Sequence, residues 1–156
     1  MILAIDPGTT ESAYVVLSSP SLPFVIYDRG KVPNDALMGK IARTTGLTDL
    51  AIEMVASYGM AVGQTTFETV FWIGRFWQAS LDAHLERLTK IYRKADVCMH
   101  LCHSTRAKDS NIRQALIDRF GEVGTKANPG QLYGISKDIW SALAIGVTYR
   151  DRKKDV

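Results

Sequence analysis

The chain opens on a short apolar run, Ile2 to Ile5, that stops at Asp6-Pro7-Gly8. A run of that length, ended by turn residues, reads as a buried strand. Ser12 to Leu17 reads as a second strand, and Phe24 to Lys31, which alternates and stops before Val32-Pro33, as a third. Ser-Pro-Ser-Leu-Pro between the latter two is turn chemistry, so the three strands predict an antiparallel meander. Asn34 is placed to cap a helix running through Leu37 and Ile41 toward Leu47. Leu50 to Val55 is a further apolar run with Glu53 inside it, and Ser57 to Gln64 reads as a loop. From Thr65 or Thr66 onward, Val70, Ile73, Trp77, Leu81 and Leu85 recur at three- and four-residue steps. They predict a long helix reaching about Glu86 with one apolar stripe. Phe67, Phe71 and Gly74 widen the stripe and predict packing on two sides.

Ile91 to Leu101 is read as a strand. Asp109 or Ser110 then starts a helix through Ile112, Leu116 and Phe120, stopped by Gly121. Gly124 to Gly130 is a loop, and Ser136 is expected to cap a helix from Lys137 to about Arg150. This order predicts an α/β fold in a single domain over 1–156, with a mixed five-stranded sheet and helices on both faces.

Composition narrows the function classes. Hydrophobic residues make up 46% of the 156 and charged residues 22%, enough for a sizeable core. No apolar run reaches the roughly 18–20 residues that span a bilayer. MILAIDPG has neither the basic start nor the cleavage site of a secretory leader. No membrane partner and a cytoplasmic location are therefore expected. The formal net charge is only +3, but cations cluster between Arg87 and Arg119 and again from Arg150 to Lys154. Clustered cations suit phosphates, although a solvated surface accounts for them equally well. Cys98-Met-His-Leu-Cys-His103 hints at zinc, yet its spacing fits no common site and no second ligand pair accompanies it. Reduced, structural thiols are the expectation.

Three carboxylates carry the chemical argument. Asp6 ends the first strand, at the edge where α/β sheets place ligands. The bland alternative is an Asp serving only its turn. Glu53 lies in the apolar run Leu-Ala-Ile-Glu-Met-Val, where a charge must be paired, metal-bound or neutralised. Asp138 and Ser141 lie three apart near the start of the final helix and share a face. Asp138 can also serve simply to stabilise the helix dipole.

Taken together, these segments resemble the RuvC family of Holliday-junction resolvases. ILAIDPGTTESAYVV resembles the family's opening strand–turn–strand, LAIEM its Ala-Ile-Glu strand, and AKDSNIRQ the start of its penultimate helix. DIWSALAI resembles its closing acidic helix. The likeness runs over nearly the whole chain in order. ASYGMAVGQ, MHLCHSTRAKDSNIRQALIDRFG and GISKDIWSALAIGVTYRD are similar to the bacteriophage branch, which implies a bacterial host cytoplasm.

The resemblance implies a ribonuclease-H-like fold and a structure-selective endonuclease that cuts four-way junctions symmetrically. It implies Asp6, Glu53 and Asp138 as catalytic metal ligands for two Mg²⁺ ions, with Mn²⁺ as substitute. Asp6 would bridge the two ions. Asp138 matches a family position that holds His or Asp. Ser141 departs from the pattern, because the family usually carries Asp there, and a hydroxyl is a poorer cation ligand than a carboxylate. The family acts as a homodimer on branched DNA, so a homodimer is implied here.

Arg93, Lys94, Arg106, Lys108 and Arg113 are the expected phosphate contacts. Tyr58, with Met60 beside it in the loop after Glu53, is placed to stack on unpaired bases, loop packing being the plainer reading. Three other readings compete. Asp-x-Gly-Thr-Thr also resembles the first phosphate loop of actin–hexokinase-type ATPases, but the chain is short for two such domains and shows no second copy of that loop. A branched-DNA-binding protein weakened in catalysis by Ser141, or a nuclease of flaps and forks, would share most of the same residues.

Overall fold

A computed structural model describes residues 1–154. Five strands form one mixed sheet: β1 (Ile2–Asp6), β2 (Glu11–Leu17), β3 (Ile26–Pro33), β4 (Asp49–Glu53) and β5 (Arg87–Ile91). Their spatial order is β3-β2-β1-β4-β5. The first three strands pair antiparallel as a meander, and β4 and β5 add on in parallel. The helices are α1 (Asn34–Arg43), α2 (Gln64–Asp82), α3 (Met99–Cys102), α4 (Asp109–Phe120) and α5 (Ile139–Lys154). A π-helical turn, Arg93–Cys98, runs directly into α3.

The period-two alternation of the strands divides the core between two faces. Ile2, Ala4, Ala13, Val15, Leu17 and Ala51 face α5, which α4 and the π-helical turn back up. Leu3, Ile5, Tyr14, Val16, Leu50 and Ile52 face α1 and α2. Both faces of the central strands are therefore sealed, as β1 and β4 require with near-continuous apolar sequences. Helix α5 lies close on the sheet because Gly146 meets it without a side chain. A Cβ there would stand 2.6 Å from Leu17 Cδ1 and 3.0 Å from the Ala4 Cβ.

The fold is the expected α/β arrangement of a mixed five-stranded sheet with helices on both faces, and several boundaries shift. Ile91 to Leu101 is not a strand. The fifth strand lies four residues earlier, over Arg87–Ile91, and the chain turns helical at Arg93. The π-helical turn is held by the Asp96 carboxylate, which accepts a hydrogen bond from the Tyr92 N–H at 2.6 Å and another from Arg152 at 2.7 Å. Asn34 is not the α1 cap. Pro33 stands at that position, and the Asn34 side chain instead reaches back to the β1–β2 turn. Helix α1 stops at Arg43, short of Leu47. Helix α5 starts at Ile139, because Lys137 takes a left-handed backbone (φ 45°) that breaks the turn Ser136 was expected to cap. On α2 the buried face is Ile73, Phe76 and Ser80. Val70 and Leu81 are exposed, and Leu85 is buried beyond the helix end. Within one chain, α2 packs on one side only.

Candidate active site

Asp6 and Glu53 end two adjacent parallel strands. Ile5 pairs with Ile52, so the next residues along, Asp6 and Glu53, stand side by side at the carboxyl edge of the sheet. Both continue the set that faces α5, following Ala4 and Ala51. The turn that leaves Asp6 is built tightly. A Cβ on Gly8 would lie 2.3 Å from the Glu11 carbonyl oxygen, so glycine is sterically required. The Gly8 N–H donates to Ser12 Oγ at 3.1 Å, Ser12 Oγ donates to Asn34 Oδ1 at 2.7 Å, and Asn34 Nδ2 donates to the Gly8 carbonyl at 3.0 Å. Ser12 and Asn34 thus lock the backbone beside Asp6. Sequence reasoning missed both, because a helix start and a strand start give no sign that they meet across a turn.

Two carboxylates pressed together out of water resist ionisation. Burial, then the charge of Glu53 and that of Asp138, lift the Asp6 carboxyl from its usual 3.8 to about 7, although Arg93 and Lys31 pull the other way. Burial also raises Glu53, against the pull of Arg93. Glu53 Oε2 is buried with no hydrogen-bond partner. Arg93 Nη1 comes to 3.6 Å, close enough for an ion pair and too far for a hydrogen bond.

Asp138 directly precedes α5, and its carbonyl accepts the first helical hydrogen bonds. Its carboxylate is exposed and accepts a hydrogen bond from Lys31 Nζ at 2.6 Å, reaching across from β3. Among the described residues, no three Asp, Glu, His or Cys side chains already converge on one metal-sized point. Asp6 and Glu53 nonetheless fit a hard divalent cation: they offer paired oxygen donors, one of them buried without a hydrogen bond. Asp138 lies near enough for its charge to act on Asp6, with one carboxylate oxygen held by Lys31, and Ser141 adds a hydroxyl.

The six expected DNA contacts separate. Arg93 lies inside the carboxylate group. It pairs with Asp109, donates to Ser141 Oγ at 3.4 Å and faces Glu53. Arg113 stacks over Trp140, 5.0 Å from the ring centroid, and lines a cleft of about 410 Å³ shared with Arg93, Asp138, Ser141 and Lys137. Lys137 was not anticipated. Lys94 sits over the exposed Tyr58 ring at 4.1 Å, while Met60 stands clear in the same loop. Arg106 and Lys108 are exposed just ahead of α4. In the CMHLCH segment Cys98 is a buried free thiol, and His100 pairs with Asp151 at 2.8 Å.

Compared as a whole, the chain aligns with the structure of Thermus thermophilus RuvC at TM-score 0.69 and 18% identity, over 99% of this chain and 95% of that one. Against T. thermophilus RuvC in complex with a Holliday junction substrate, the TM-score is 0.74 at 14% identity, covering 99% and 94%. This is the RuvC fold. No family model and no curated protein matches the sequence. The RuvC likeness lies in the architecture: the order of the sheet and the helices packed on its two faces.

Proposed function

We propose that this protein is a metal-dependent endonuclease that resolves four-way DNA junctions. The observation that carries the reading is the pair Asp6 and Glu53, set side by side on adjacent parallel strands of a RuvC fold, with Glu53 Oε2 buried, without a hydrogen bond and faced only by Arg93 at ion-pair distance. Stranding a carboxylate oxygen costs stability, and a cation repays it. Asp6, Glu53 and Asp138 would hold Mg²⁺, with Mn²⁺ as substitute. A divalent ion there supplies Lewis-acid stabilisation of a phosphodiester under attack. In the overall hydrolysis, water adds at phosphorus and the P–O3′ bond breaks, leaving a 5′-phosphate and a 3′-hydroxyl.

Around that centre, Arg113 and Lys137 line the cleft where a strand would pass, and their charges suit backbone phosphates. Lys94, Arg106 and Lys108 extend the basic surface. Tyr58 is 56% exposed and backed by a cation, suited to stacking on a base freed at a branch point. Symmetric cutting requires two sites. Helix α2 leaves Phe67, Val70 and Phe71 exposed in one row, an apolar strip that supports a homodimer. No helix among the described residues is long and apolar enough to cross a membrane. A phage-encoded enzyme working in the bacterial cytoplasm is the setting that fits this reading.

A second reading, a branched-DNA-binding protein with weakened catalysis, is favoured by Ser141 and by the Lys31–Asp138 pair. Labelled four-way junctions, linear duplexes and flaps, incubated in Mg²⁺ and then Mn²⁺, separate the readings, with Asp6→Asn as control. Paired junction nicks that vanish in the variant are expected. Equal cutting of flaps would make it a broader debranching nuclease. Tight binding without cutting would leave the binding role.

A further inference from the structure

Arg93 does not behave as a surface cation. Its side chain is 26% exposed and sits where three separate parts of the chain meet: Glu53 on β4, Asp109 at the start of α4 and Ser141 on α5. Its position follows from the backbone. Ile91 pairs with Glu53 at the end of β5, and the π-helical turn begins at Arg93 itself, throwing the guanidinium back over the strand ends. A π-helical turn is a rare hydrogen-bonding pattern that recurs at functional sites.

The guanidinium occupies the space a second cation would need. Its three neighbours are two carboxylates and a hydroxyl, the donor types that hold a divalent ion. Ser141, a neutral side chain, is the one it touches on α5. A carboxylate at that position would attract metal; a hydroxyl instead accepts from an arginine. Guanidinium carries five N–H donors. The hydrogen bonds to Ser141 and Asp109 engage two of them, so the fork keeps donors for an incoming phosphate.

We propose that Arg93 is a built-in cation of this centre, standing in place of a second metal ion, so that each protomer uses one divalent ion and one guanidinium at the scissile phosphate. This rests on the nuclease reading above for its chemistry, although not for its metal count. Arg93 is charged at every working pH, needs no dissolved ion, and is placed before DNA arrives. Its role is to bind a non-bridging phosphate oxygen and to stabilise the charge that grows there as water adds and the P–O3′ bond breaks.

The test counts Mn²⁺ per protomer by electron paramagnetic resonance, in protein alone and with a phosphorothioate-substituted four-way junction. It compares wild type, Arg93→Gln, Arg93→Lys and the double variant Arg93→Gln/Ser141→Asp, and follows cleavage of an unmodified junction in parallel. One ion is expected in wild type and two in the double variant. Arg93→Gln should bind its single ion at least as tightly as wild type yet cut on the order of 100-fold more slowly, as when one preorganised donor to a developing oxyanion is lost. Arg93→Lys should fall between, keeping the charge without the fork. It also preserves the test if Arg93→Gln proves unstable by circular dichroism. Two ions in wild type, or undiminished cutting by Arg93→Gln, would overturn the proposal. If wild type cuts no branched DNA at all, the nuclease reading fails, while the ion counts still decide what Arg93 replaces.

Discussion

Replacing Asp6 by Asn should make the metal-free protein more stable at neutral and alkaline pH. Burial and the charge of Glu53 lift the Asp6 carboxyl from 3.8 to about 7. In the unfolded chain the same group titrates near its ordinary value. Between about pH 4 and pH 7 the folded protein therefore binds a proton that the unfolded chain has released, so this group's contribution is complete below pH 4 and drains away as pH rises toward 7. A displacement of about three units corresponds to about 4 kcal/mol at most, at roughly 1.4 kcal/mol per unit. Asparagine keeps the shape and carries no charge, so Asp6→Asn escapes that loss. For a domain of this size about 4 kcal/mol raises the melting temperature by roughly 8–16 °C. The assay is thermal and urea unfolding of both proteins in EDTA from pH 4.5 to 8.5. The two curves should converge toward the acid end, separate progressively up to about pH 7 and run parallel above it. Added Mg²⁺ should then close the gap by stabilising wild type alone. If Asp6→Asn were no more stable than wild type at pH 8, or if the wild-type difference did not grow between pH 5 and 7, the buried-carboxylate argument would be wrong.

Other substitutions test other parts of the site. Lys31→Met frees Asp138 and should tighten Mn²⁺ binding several-fold in a titration, at little cost in folding stability because the pair is exposed. Gly8→Ala forces a Cβ against the Glu11 carbonyl and should destabilise the protein by about 2 kcal/mol in urea, while displacing Asp6 enough to reduce cleavage. Phe71→Glu on α2 should convert a dimer into monomers by sedimentation while leaving the far-ultraviolet circular dichroism unchanged.

The central strands were legible because a strand buried on both faces is an apolar run, and Ile2–Ile5 and Leu50–Ile52 are such runs. Asp6 and Glu53 stood out for the same reason, one closing such a run and the other interrupting the run Leu50 to Val55, although the strand itself stops at Glu53. Strand β5 was not, because Arg87-Leu-Thr-Lys-Ile lies at the sheet edge and carries cations, so its pattern resembles a helix surface. The α2 stripe misled because the helix has two apolar rows. Composition does not say which of Val70 or Phe76 turns inward; the sheet beneath decides it, and Phe76 is the fully buried one. Arg93 read as a surface phosphate contact because its neighbours, at 53, 109 and 141, are brought to it only by tertiary folding. No local pattern marks such a residue.

The carboxylates stand at positions 6, 53 and 138, and α5 lies directly against β1 and β2. During synthesis, at roughly 5–20 residues per second, the ribosome releases Asp6 and Glu53 several seconds before the segment that bears Asp138 and covers the α5-facing side of the sheet. A partly made chain thus holds Asp6, Glu53 and Arg93 beside an uncovered apolar face. Under the proposed function Asp138 would join the site only as α5 docks, so a chain interrupted before that point would lack the third carboxylate.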